Sequence, residues 1–90
     1  MIFNDKNINC IDEKVMKYIA NYADVKRETI TQKTLLKEDL CIEGLELVDI
    51  IMSLEQQYNI VIKDEDMYNV KDLGQLIKVV KEKIKLWQKK

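Results

Sequence analysis

The sequence predicts an all-α fold, a four-helix bundle of three longer helices and one short one, and three observations carry that expectation. Apolar residues recur three and four apart in three separate segments. NIVI at 59–62 is strand-like, but a single four-residue strand finds no partner in this chain. With no proline and only two glycines, the sequence offers no internal domain boundary.

The first helix is predicted where Ile11, Val15, Tyr18, Ile19 and Tyr22 form one face and Asp12, Glu13, Lys14, Lys17 and Asn21 the other. It runs for about three turns. A long connection follows, whose Thr29, Ile30, Thr31 and Thr34 have weak helix propensity. Val25, Ile30, Leu35 and Leu36 are its expected anchors in the core. The second helix runs from near Gly44 to about Tyr58. Its polar residues keep to a narrow stripe, and Leu45, Leu47, Val48, Ile50, Ile51, Met52, Leu54 and Tyr58 form an apolar arc wide enough to make the helix central to the fold. Glu55 interrupts that arc without an evident reason. Asp64 to Tyr68 suits a short helix, since three consecutive carboxylates favour the positive end of a helix dipole. Asn69, with Asp72 three residues on, reads as the N-cap of the last helix. There Val70, Leu73, Ile77, Val80, Ile84 and Trp87 form the buried stripe, and Lys78, Lys81, Lys83 and Lys85 are left to solvent.

Ninety residues make one domain, 1–90 with its core at about 11–84, too small to enclose an active-site cavity of its own. The chain is therefore expected to be a module and not an enzyme. A hydrophobic content of 47% with 34% charged residues belongs to a folded, soluble domain. No apolar run approaches the roughly 18 residues of a membrane span, and MIFNDKNINC lacks the blocks of a secretory signal, so a cytoplasmic location is expected. Cys10 and Cys41 then read as reduced thiols. Without histidine or a CxxC spacing, a metal site is not expected.

The net charge of −1 hides an uneven distribution. Residues 38–62 contain six Asp/Glu and no Lys or Arg, whereas 63–90 carry eight Lys and five Asp/Glu. An anionic middle disfavours nucleic acid and suits a protein partner with a basic patch. The plainer reading, a solvated face, stays open beside it.

Glu38-Asp39-Leu40, then Leu45, Val48, Met52, Leu54 and Glu55, then Ile62 with Asp64-Glu65-Asp66 resemble the acyl carrier protein family from Ile11 to about Ile84. The resemblance implies a helical carrier fold whose second helix begins at an Asp-Ser-Leu motif, with 4′-phosphopantetheine on the serine. Here those positions read Glu43-Gly44-Leu45. Glycine offers no nucleophile, while as a helix cap it falls only a few tenths of a kcal/mol short of serine. The expectation is a carrier-like module without a cofactor, not phosphopantetheinylated at Gly44. Ser53, about 13 Å along the helix axis, and Cys41, read as a small buried apolar residue, are weak substitutes for the serine. The resemblance also implies that Glu43, Glu46, Asp49 and Glu55 meet a basic patch on a synthase, ligase or transferase, with apolar contacts from Leu45 and Met52. Leu47 replaces the usual polar residue and adds apolar surface. The alternative is a working carrier of fatty-acid or polyketide-type biosynthesis that does hold 4′-phosphopantetheine, with Gly44 an engineered change or another residue used.

Overall fold

The computed structural model describes the backbone of residues 5–88 and the side chains of residues 11–86. The side chains of Cys10 and Trp87 lie outside those bounds. Within them, α1 spans Asp5–Ala23, α2 Leu45–Tyr58 and α3 Leu73–Gln88. The expected short fourth helix is only a 3-10 turn, Asp64–Met67, and a second such turn at Arg27–Thr29 was not foreseen. The described residues thus hold three α-helices, not four. At Asp64–Met67 the Lys63 amide donates to the Asp66 carboxylate at 2.8 Å, closing a single turn, and four residues cannot extend an α-helical ladder.

α1 begins earlier than expected, and Ile8, three residues before Ile11, continues its spacing. It ends in a Schellman motif: Asp24 is left-handed at φ 59°, and the Val25 amide reaches back to the Ala20 carbonyl at 2.9 Å. α2 ends on Asn59, also left-handed at φ 56°. The N-cap of α3 is not Asn69. Asp72 Oδ1 accepts from the Gln75 amide at 2.8 Å, while Gln75 Oε1 accepts from the Lys71 and Asp72 amides at 2.6 and 3.2 Å. That reciprocal box starts the helix three residues later than Asn69 would. The start cannot come earlier, because Leu36 donates to the Lys71 carbonyl at 3.0 Å and Leu35 forms an antiparallel bridge with Asp72. Gly74 completes this seam. Its amide donates to the Gln32 carbonyl at 2.8 Å, so close that an added Cβ would lie 3.1 Å from that oxygen.

One core joins the three α-helices. Val15, Met16, Ile19 and Ala20 of α1 meet Leu73, Leu76, Ile77 and Val80 of α3, and Ile30, Leu36, Ile42, Ile60 and Ile62 close it from the connections. Leu76 is fully buried although it was not among the expected core residues. Val25 is exposed and Leu35 half-buried, so only Ile30 and Leu36 of the four expected anchors are deep in the core. α2 is less central than its composition suggests, since only Ile50 and Leu54 are buried. Lys81 and Lys83 are not left to solvent either. Lys81 Nζ lies 2.8 Å from Asp12 Oδ1 and Lys83 Nζ 2.9 Å from Asp66 Oδ2, tying α3 to α1 and to the 3-10 turn at Asp64–Met67. No helix among the described residues is long and apolar enough to cross a membrane.

Candidate functional site

The entrance to α2 is built by a compact loop. The Asp39 carboxylate accepts from the Leu35 amide at 2.8 Å, and the Ile42 amide returns to the Leu36 carbonyl at 2.8 Å. Ile42 drops into the core, and its neighbour Cys41 is turned outward at φ 58°. Cys41 is thus exposed, contrary to the buried residue expected. The chain then passes Glu43, whose carboxylate lies 3.7 Å from Lys37 Nζ, and reaches Gly44.

Gly44 is the N-cap of α2 and makes no side-chain cap bond. Its φ of 61° and ψ of −129° lie where glycine is at home and L-residues are not. The Glu46 amide donates to the Glu43 carbonyl at 3.2 Å, closing a turn with Gly44 at its second position. This alters the sequence expectation in one respect: Gly44 is not a serine cap lacking its side chain, because the backbone itself has a different conformation.

Beyond Gly44, α2 presents Leu45, Val48 and Met52 at 86%, 50% and 54% exposure. Together with Glu46, Asp49 and Tyr22 of α1 they line an open groove of about 350 Å³. Tyr22 donates to Asp49 Oδ2 at a long 3.4 Å. Burial and then the Asp49 and Glu46 carboxylates push the Tyr22 phenol up, so it stays a neutral donor. The structure therefore brings Leu45, Glu46, Asp49 and Met52 together. Glu43 and Leu47 belong instead to a neighbouring groove of about 360 Å³ under Gly44, floored by Leu36, Ile42 and Val70.

Glu55 is set apart from both grooves. It is half-buried, and its Oε2 accepts from the Ile62 amide at 2.8 Å, which accounts for a carboxylate in an apolar arc. Val48 and Tyr22 were not singled out as site residues. Val48 had a signal, being three residues after Leu45 and four before Met52. Tyr22 had none, since its place beside Asp49 depends on how α1 packs.

A phosphopantetheine arm at residue 44 requires an oxygen nucleophile, and glycine has none. Ser53 is half-buried nine residues along α2. The residue at position 44 therefore does not fit the group. Among the described residues there is also no cluster of three or more His, Cys, Asp or Glu that would hold a metal ion.

No protein-family model matches the chain. It is 33% identical over 72 residues to the acyl carrier protein of Buchnera aphidicola subsp. Baizongia pistaciae (strain Bp), an alignment that spans 80% of this chain and 92% of that one. With such identity across most of both sequences, and an all-helical fold beneath it, the chain belongs to the acyl carrier protein family.

Proposed function

We propose that this protein is a carrier-like module that works by docking the acidic face of α2 onto a partner with a basic patch and is not phosphopantetheinylated at Gly44. Members of its family are carriers and not enzymes, and they meet biosynthetic enzymes, so a synthase, ligase or transferase is the class of partner expected. The observation that carries the reading is the pairing of an outward apolar ledge, Leu45, Val48 and Met52, with Glu46 and Asp49, on a helix whose N-cap, Gly44, has no hydroxyl. Apolar groups exposed side by side mark surfaces that are covered in a complex. Carboxylates around them favour a cationic partner and oppose an anionic one.

Glu43 and Leu47 line the neighbouring groove with Gly44 and offer a second set of partner contacts there. Glu55 contributes charge from the far end of the helix, with one oxygen held by the Ile62 amide.

Intact-mass measurement tests the first half of the proposal. After incubation with coenzyme A and a broad-specificity phosphopantetheinyl transferase, the protein is expected at its unmodified mass, as is protein purified from its own cell. A mass gain of one prosthetic group in either sample rejects the reading. It would instead establish a working carrier of fatty-acid or polyketide-type biosynthesis, with peptide mapping to show whether Cys41, three residues from Gly44, had taken the serine's place.

A further inference from the structure

We infer that the backbone at residue 44 is built for glycine, so that an L-residue placed there, serine included, strains or remakes the entrance to α2. The inference rests on the reading of residue 44 as unmodified and adds what the backbone at that position demands of its occupant.

A serine N-cap ordinarily has an extended backbone, and its side-chain oxygen accepts from an amide in the first turn. Gly44 departs from that geometry, with φ 61° and ψ −129°. Two backbone hydrogen bonds depend on its conformation: the Glu46 amide to the Glu43 carbonyl at 3.2 Å and the Val48 amide to the Gly44 carbonyl at 3.1 Å. The first closes a turn whose second residue has positive φ, the arrangement of a type II′ turn, in which glycine is favoured at that position. The second begins the ladder of α2. A residue that flipped to negative φ would have to remake this helix entrance.

Space is not the obstacle. A Cβ added at Gly44 meets nothing within 4 Å, so crowding by neighbouring groups cannot be what excludes a side chain. What remains is the contact between an L-residue's own Cβ and its own backbone at positive φ. That cause has a mirror image. A D-residue at φ 61° and ψ −129° has the freedom an L-residue has at the opposite angles, which lie in the broad extended region.

The two accounts of Gly44 predict opposite signs. If serine belonged there, Gly44→Ser would restore a better cap and raise the melting temperature slightly. If the backbone requires glycine, the same change lowers it. The test is a set of thermal melts on the full chain. Gly44→Ser and Gly44→Ala are made by expression. Gly44→D-Ala is made by chemical synthesis with ligation at the Leu40–Cys41 junction. The L-variants are expected to melt about 4–8 °C below the unsubstituted protein. The D-alanine chain is expected to melt above the L-alanine chain, since the two have the same composition and differ only in which hand of backbone they favour. A serine variant that melts at or above the unsubstituted protein overturns the inference, and so does a D-alanine chain that melts no higher than the L-alanine one. If an L-variant does not fold, the D-alanine chain still decides. Gain of a prosthetic group by the unsubstituted protein would refute the proposed function while leaving these melts to be judged separately.

Discussion

Glu55 sits near the end of α2 with one carboxylate oxygen 2.8 Å from the Ile62 amide, which the chain reversal at Asn59 brings back to it. Removing that acceptor leaves a part-buried amide without its partner, a loss of about 1–3 kcal/mol. Glu55→Ala is therefore expected to lower the unfolding free energy in urea by that amount, and Glu55→Gln, which keeps an acceptor, by less. Equal losses in the two variants would mean that the charge matters and the hydrogen bond does not. This role was not legible in the sequence, because a bond across seven residues exists only once a left-handed residue has turned the chain. Cys41 went unread for a similar reason. Its neighbour Ile42 takes the place in the core, and only the backbone at φ 58° tells which of the two faces outward. Gly44 was half legible: the missing hydroxyl is plain in the letters, while the positive φ is not.

At the level of elements, periodicity was a sound guide wherever a helix buries one stripe. The bounds of α2 are within a residue of those expected, and α3 ends beyond its last predicted apolar residue. The start of α3 was misplaced because Asn69 and Asp72 compete as caps in the sequence, and the decision falls to Gln75, whose side chain completes the box with Asp72. Lysines on α3 carried no sign of their partners. Lys83 is paired with Asp66, and both side chains are only 23% exposed. The hydrogen bond from Lys83, followed by that from the Lys63 amide, holds the Asp66 carboxyl below its usual range. A depressed folded-state pKa stabilises the fold above the ordinary carboxylate value, and the effect is lost as the pH falls through the folded one. Melting temperature measured from pH 6 down to pH 2 is accordingly expected to fall less steeply in Asp66→Asn than in the unsubstituted protein. Parallel curves would show that the pair contributes nothing to the acid transition. For α2 the expectation concerns binding. Charge reversal by Glu46→Lys and Asp49→Lys should abolish capture of a partner while far-UV circular dichroism stays unchanged, whereas Lys78→Glu on α3 should leave capture intact. Capture that survives the reversal would reduce the acidic stripe to a solvated face.

Across the whole molecule a single core is shared by α1, α3 and the connections, with α2 laid over it through Ile50 and Leu54. A domain of this size and construction unfolds as one unit. Leu76→Ala, which empties a fully buried site, is expected to cost about 2–5 kcal/mol in urea without splitting the transition. Two separate transitions would show that α2 comes away independently. The all-helical class was legible because it depends on spacing summed over many residues. How deep each helix lies was not, since an apolar arc reads the same whether it faces the core or a partner.

The outward position of Leu45, Val48 and Met52 also bears on how the free protein behaves in solution. With a net charge of only −1 at pH 7 and an isoelectric point near 5.5, the molecule has little overall repulsion to keep copies apart. The carboxylates beside the ledge are its local guard. Mild acidification toward the isoelectric point removes what net charge remains, so colloidal attraction and precipitation should be greatest there and recede as the pH is raised.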